Sequence, residues 1–192
     1  MTELSNRLVL DLQQHIKQYG RAVLVIDGDC AAGKTTLAAQ IAARLSCNVF
    51  HMDDFFLPPA MRTPARLFEP GGNVHYERFR SQVLEPMLEN KPFAYGAYSC
   101  GADETYTVQV TPKPVSVIEG SYSLHPGFLD AYQTLRAVKV FMRIAPEEQI
   151  RRIQSRNGEA MLRRFREEWI PMEKRYRQAY EKAWGSVLFT DG

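Results

Sequence analysis

The sequence predicts an α/β fold: a central, mainly parallel sheet flanked by helices, with one small hairpin excursion. Three observations carry this expectation. Short apolar, largely β-branched runs (Ala22–Ile26, Val115–Ile118, Val138–Ile144) alternate with segments of helical spacing. The first run leads through a glycine-containing turn, Gly28 to Gly33, straight into the Ala/Leu-rich stretch Lys34–Leu45. The length, 192 residues, suits one such domain with a sizeable core and is short for two, so residues 1–192 are expected to form a single unit.

Taken in order, the elements justify themselves locally. Leu4, Leu8, Leu12 and Ile16 recur every fourth residue, which places one apolar stripe of a first helix against the body. The strand Ala22–Ile26 and the helix Lys34–Leu45 follow, and Asn48–Met52 reads as a second strand. Residues 57–73 carry four prolines and two glycines and are expected to form a long irregular loop, a feature that is usually functional in compact domains. A helix from about Tyr76 to Glu89 comes next. Phe93–Ser99 and Thr105–Val110, joined by Gly101-Ala102-Asp103, form a hairpin over about residues 93–110. Val115–Ile118 and Val138–Ile144 are buried strands, and Pro146 suits the start of a helix over Glu147–Arg156. A charged helical stretch from Glu159 to about Ala183 leads to a last strand, Val187–Phe189.

Composition excludes several classes. With 24 basic and 22 acidic residues, no global field favours nucleic acid or membrane partners. No apolar run approaches the ~20 residues of a membrane span, and Met1 to Gly20 lacks the pattern of a secretory signal. Cys30, Cys47 and Cys100 are widely spaced and show no metal-ligand pattern, as expected of reduced thiols in a cytoplasmic protein. Cys30 is either a thiol made acidic by a helix terminus or a small side chain tolerated in a turn.

The run Gly28-Asp29-Cys30-Ala31-Ala32-Gly33-Lys34-Thr35 fits the phosphate-binding pattern G-x-x-x-x-G-K-[ST] without a mismatch. Between a strand and a helix, its backbone N–H groups and the helix N-terminus converge on a phosphate. A P-loop NTPase fold is therefore expected, with Gly28 through Thr36 holding a nucleoside triphosphate. Lys34 would reach the outer phosphates, and the Thr35 hydroxyl would hold Mg²⁺. Glu119, at the carboxyl end of a strand, supplies a second acidic position for the metal, or is an ordinary strand-end carboxylate. The guanine signature Asn-Lys-x-Asp is absent, which argues against a GTP switch and leaves ATP against GTP undecided.

The second strand ends in Asp53-Asp54-Phe55-Phe56. Phosphoryl transfer to an alcohol needs a group that orients the hydroxyl and takes its proton, and an ionised Asp meets that need. Asp53 is favoured for chemistry and Asp54 for capping the following loop, since on an extended strand end adjacent side chains point to opposite faces.

On these motifs the chain resembles the uridine kinase and phosphoribulokinase family. The likeness rests on the Gly28–Thr35 loop, Met52-Asp53-Asp54-Phe55-Phe56, the hairpin Tyr98-Ser99-Cys100, Glu119-Gly120, and Arg151-Arg152 with Arg156. It is similar in particular to a bacterial uridine kinase-like branch, through His51 to Pro59, Pro70 to Val74 with Tyr76 to Phe79, and Arg156-Asn157-Gly158 followed by Trp169 to Met172. The resemblance implies ATP:alcohol phosphotransfer with Mg²⁺, Asp53 as base, and a helical lid over about residues 146–168. It also implies that Phe56, His75, Tyr76 and Tyr98 border the acceptor. The chain has Phe55-Phe56 where uridine kinases have Phe-Tyr, and no His after its hairpin tyrosine, so Tyr98 carries over and base recognition does not.

Arg152 and Arg156, four apart on one helix face, are suited to the dispersed charge of a transferring phosphoryl group, while Arg151 could point outward. Glutamates interleave with the arginines that follow, which reads as a mixed charged helix rather than a nucleic-acid stripe. His51 either lines the site or packs in its strand. Trp169 and Trp184 are expected to pack the last helix on the sheet, and Arg62 and Arg66 to be solvated or to meet an anionic acceptor. The leading reading is a kinase acting on a small-molecule hydroxyl, a uridine- or cytidine-like nucleoside first. Pantothenate- or sugar-phosphate-like acceptors come behind it, as does a P-loop ATPase coupled to a protein partner. A module that binds nucleotide without catalysis is disfavoured by the intact Lys34, Asp53 and Glu119. No nucleic-acid or membrane partner is expected, and a homo-oligomer is left open.

Overall fold

In a computed structural model, which describes residues 2–191, five strands form one parallel sheet in the order β2-β5-β1-β6-β7. These are β1 (Ala22–Gly28), β2 (Cys47–His51), β5 (Val115–Glu119), β6 (Val138–Arg143) and β7 (Leu188–Asp191). Every residue of β1 is buried, as a strand covered on both faces must be. Its side chains alternate between two cores. Ala22, Leu24 and Ile26 join the cluster under α1 (Glu3–Tyr19) and α2 (Lys34–Ala42), where Leu8, Leu12, Leu37 and Ile41 pack. Val23 and Val25 join Phe50, Phe55, Phe79, Tyr132 and Trp184 on the other face. Thr2 caps α1 by accepting the Ser5 N–H, and Gly20 closes it in a left-handed conformation.

A separate antiparallel hairpin, β3 (Phe93–Ser99) with β4 (Glu104–Val110), stands beside this sheet as expected. The helical layer comprises α3 (Pro64–Phe68), α4 (Tyr76–Phe79), α5 (Glu85–Glu89), α6 (Leu129–Thr134), α7 (Pro146–Arg164) and α8 (Ile170–Tyr180).

Several expectations are corrected. The second strand stops at His51, and Met52–Phe55 make a 3₁₀ turn, so Asp53 and Asp54 do not sit on an extended end. Residues 57–73 are not wholly irregular, because Pro59–Met61 form a 3₁₀ turn and α3 starts behind a Thr63 cap. The helix expected over residues 76–89 is interrupted by a π turn at Arg80–Leu84, and a second π turn at Phe165–Trp169 precedes α8. Pro86 and Pro171 follow these turns closely; a proline offers no N–H to the helical ladder and crowds the carbonyl four residues back, which the wider turn relieves. The turn Pro126–Phe128 with α6 was not anticipated. The lid helix breaks where the sequence placed the break: Gly158 has φ 76° and ψ 174° inside α7. Met1 and Gly192 lie outside the described residues, and among the described residues no helix is long and apolar enough to cross a membrane.

Candidate active site

The sheet's register builds the site. In the parallel ladders, Glu119 aligns with Ile26 of β1 and with His51 of β2 at the carboxyl edge. The glycine loop leaves β1 two residues beyond Ile26. A Cβ on Gly28 would lie 2.2 Å from the Met142 carbonyl oxygen, so only glycine lets the loop pass β6 this closely. The Asp29 N–H then bonds that same carbonyl at 2.9 Å. Gly33 is left-handed (φ 97°) and opens α2 with its N-terminal amides toward the loop.

Lys34 is buried and folds back on the loop, its Nζ donating to Gly28 O at 2.8 Å and Asp29 O at 2.9 Å. Thr35 Oγ1 donates to Glu119 Oε2 at 3.1 Å, while Glu119 Oε1 is 2.5 Å from His51 Nδ1. That bond to Glu119 holds the His51 imidazole above its usual pKa. His51 thus lines the site rather than packing inertly in its strand. The hydroxyl–carboxylate pair offers hard oxygen donors, the kind Mg²⁺ accepts when phosphates and water complete its shell. Among the described residues no three His, Cys, Asp or Glu side chains gather as a metal cage, so the fit is to a metal shared with a ligand.

Asp53 is exposed at the mouth of the same edge. Crowding by protein raises its carboxyl pKa, the Glu119 charge raises it further, and Lys34 opposes both. Asp54 instead accepts the Tyr95 hydroxyl at 3.2 Å, and its backbone carbonyl takes the Arg78 guanidinium at 2.9 Å. It ties the 3₁₀ turn to the hairpin rather than capping the loop that follows.

The other expected acceptor residues are held by the protein itself. Phe56 is half-buried and bridges Val74. His75 Nδ1 accepts the Arg78 N–H at 3.2 Å and caps α4. The Tyr76 ring lies between His125, stacked at 4.1 Å, and the Arg66 guanidinium at 4.0 Å. Tyr98 donates to Asp103 at 2.6 Å across the hairpin end. Arg66 is neither solvated nor turned to a ligand: it forks onto Glu77 at 2.8 Å through both terminal nitrogens and also bonds Gly72 O and Val74 O. It folds the proline-rich loop around itself. Arg62 bonds the Leu57 carbonyl at 2.7 Å and faces the Cys100 thiol.

The start of the lid region touches the loop. From α7, Gln149 donates to Cys30 O at 3.1 Å, and Arg152 donates to Ala31 O at 3.2 Å while pairing with Glu148 at 2.7 Å. Arg151 is exposed and forks onto Glu148, and Arg156 is exposed and bonds Asn157, so of the two favoured lid arginines it is Arg152 that bonds the loop. Trp184 stacks on Phe141 of the sheet at 5.0 Å as expected, whereas Trp169 packs on Phe165 inside the lid's own small core. Cys30 is not an acidic thiol: burial and the neighbouring Glu173 push it well above the thiol range.

Three residues escaped the sequence reading. Asp27 is fully buried and accepts from Gly28 N at 2.7 Å, Tyr122 N at 3.1 Å, Leu124 N at 2.8 Å and Tyr176 Oη at 2.8 Å. Burial raises its carboxyl to about 6. An acid inside an otherwise apolar strand, next to the loop, was the signal available in the sequence. Glu173, which meets both the loop and Ser121, and Ser121 itself carried none, because Glu173 is one of many charges on its helix.

Comparison with known proteins agrees with this architecture. A family model described as shikimate kinase matches residues 30–101, from inside the glycine loop to the hairpin. No curated protein matches the chain in sequence. Among solved structures, a possible uridine kinase from Bacillus stearothermophilus aligns with a TM-score of 0.64 and 24% identity, over 99% of this chain and 100% of that one. A candidate fructose transport system kinase from Silicibacter sp. TM1040 aligns at 0.68 and 23%, over 93% and 95%. D-glycerate 3-kinase from Cryptococcus neoformans var. grubii aligns at 0.60 and 12%, over 100% and 96%. The chain has the P-loop kinase fold.

Proposed function

We propose that this protein is a cytoplasmic ATP-dependent kinase that transfers the γ-phosphate to a hydroxyl of a small molecule, a nucleoside being the leading acceptor. The observation that carries the reading is the meeting of three groups at one sheet edge. Lys34 lies in the phosphate loop, the Thr35–Glu119 pair stands 3.1 Å apart beside it, and the Asp53 carboxyl feels the charges of both Glu119 and Lys34. Loop amides and the α2 N-terminus hold the triphosphate. Lys34 exchanges the Gly28 and Asp29 carbonyls for phosphate oxygens, and Asp53 orients the acceptor hydroxyl and takes its proton. A base pushed upward by crowding and by Glu119 is a better proton acceptor than a free aspartate. When bound at Thr35 and Glu119, Mg²⁺ would neutralise charge on the transferring phosphates. Arg152, already at the loop, brings a guanidinium to the same charge.

A nucleoside acceptor is supported by the Asp53-Asp54-Phe55-Phe56 and Tyr98 likeness and by the uridine kinase-like structural neighbour. A sugar or hydroxy-acid acceptor is the second reading, favoured by neighbours described as fructose transport and glycerate kinases. Measuring ADP release with Mg·ATP against uridine, cytidine, fructose and D-glycerate tests both. Acceptor-dependent turnover supports a kinase, and the acceptor that drives it selects the class. Turnover independent of every acceptor contradicts the reading.

A further inference from the structure

One face of α8 grips the phosphate loop at successive positions. Glu173 Oε2 accepts the Cys30 N–H at 2.9 Å, Tyr176, three residues on, donates to Asp27, which itself receives the Gly28 N–H, and Arg177 stands 3.5 Å from Asp29. Residues three and four apart share a helix face, so this is one surface meeting one loop. The second oxygen of Glu173 accepts the Ser121 hydroxyl at 2.6 Å. Ser121 lies two residues beyond Glu119. Glu173 therefore bridges the loop that would cradle phosphates and the strand end that would hold the metal.

The bridge is electrostatically expensive. Burial raises the Glu173 carboxyl above its usual range, with Lys34 the foremost opposing influence. An anion here also repels an incoming triphosphate. Yet each of its oxygens has a donor, and Cys30 has its backbone N–H turned to α8. The negative charge is a burden to anion binding, while the two-armed fork fixes the loop.

We infer that Glu173 is a positioning residue of the nucleotide site: its fork between Cys30 N–H and Ser121 Oγ sets the phosphate loop against the Glu119 strand end, and its shape rather than its charge is what nucleotide binding uses. This rests on the kinase reading proposed above. A glutamine keeps an oxygen for the Cys30 N–H and presents an amide donor to Ser121 Oγ, without the charge.

The test is calorimetric titration of the full chain with a non-hydrolysable ATP analogue and Mg²⁺, alongside thermal denaturation of each nucleotide-free variant. Glu173→Gln should bind the analogue as tightly as the wild type or more tightly. Glu173→Ala should bind it about tenfold or more weakly, and Ser121→Ala, which cuts one arm only, should fall between. A Glu173→Gln protein weakened tenfold would overturn the proposal, because the charge would then be the needed part; that arm decides even if Glu173→Ala does not fold. Wild-type affinity in Glu173→Ala would overturn it equally. A wild-type protein that binds no analogue would refute the kinase reading itself.

Discussion

Thr35 Oγ1 and a Glu119 carboxylate oxygen, 84 positions apart in the chain, meet at 3.1 Å across the carboxyl edge of the sheet. The parallel register of β1 and β5 creates this meeting, since it sets Glu119 beside Ile26, two residues before the glycine loop. Turnover is therefore expected to require a divalent cation. Glu119→Gln should raise the Mg²⁺ needed for half-maximal rate on the order of tenfold. A metal titration curve unchanged in that variant would remove Glu119 from the metal site.

Lys34 is a buried cation whose two visible partners are loop carbonyls. Lys34→Ala should weaken ATP binding and nearly abolish turnover, at a stability cost of roughly 1–3 kcal/mol for the lost hydrogen bonds. The far-ultraviolet circular dichroism should stay native. Near-normal turnover would show that the loop is not the catalytic nucleotide site.

The lid arginines should separate. Arg152 already contacts the loop through Ala31 O, whereas Arg156 lies on the surface against Asn157. Arg152→Ala should lower the transfer rate on the order of 10²-fold, with less effect on ATP affinity, because charge on the moving group develops in the transition state. Equal and small effects of both alanine variants on rate, with ATP affinity lost, would make them ground-state phosphate anchors.

His125 gives a pH signature unrelated to catalysis. Burial, with the Arg66 charge adding to it, lowers its pKa from 6.5 to about 4. The folded state thus holds it neutral, and the associated stability is complete above 6.5 and lost as pH falls toward 4. The gap corresponds to on the order of 3 kcal/mol. Asp27, raised to about 6, has the opposite sign, gaining stability as pH falls, so the raw profile mixes the two. The difference in urea midpoint between wild type and His125→Phe isolates the histidine. Phenylalanine can keep the stack on Tyr76 but leaves the Gly127 N–H without its acceptor, so the variant starts weaker at pH 7. Its deficit should shrink by pH 4.5. A constant deficit would contradict a neutral buried histidine.

Much of this was legible in the sequence because it is local. The glycine loop, the buried parallel strands, the hairpin and the break at Gly158 each follow from residues within a few positions of one another. Thr35 and Glu119 were legible as strand-end chemistry. What escaped depends on tertiary contact. Asp54 meets Tyr95 from another element, Arg66 gathers a loop around itself, and Glu173 reaches Cys30 from 143 positions away. Short helices such as α3 and α6 offer too few turns for a periodic stripe, and the two π turns reflect prolines whose effect is felt a turn earlier.

The division of labour between Asp53 and Asp54 is the most direct test of phosphoryl transfer. Both belong to a 3₁₀ turn, and they differ in partner rather than in strand face: Asp54 bonds Tyr95, while Asp53 stands exposed in the field of Glu119 and Lys34. The measurement is the acceptor-dependent rate of ADP formation in Asp53→Asn and Asp54→Asn under saturating Mg·ATP. Asp53→Asn should lose ~10²–10⁴-fold in rate while still binding Mg·ATP, and Asp54→Asn should lose far less, its cost falling on stability through the Tyr95 bond. A crippling Asp54→Asn with an active Asp53→Asn, or two fully active variants, would contradict the assignment of the base, and ADP formation that no acceptor stimulates would contradict the kinase itself.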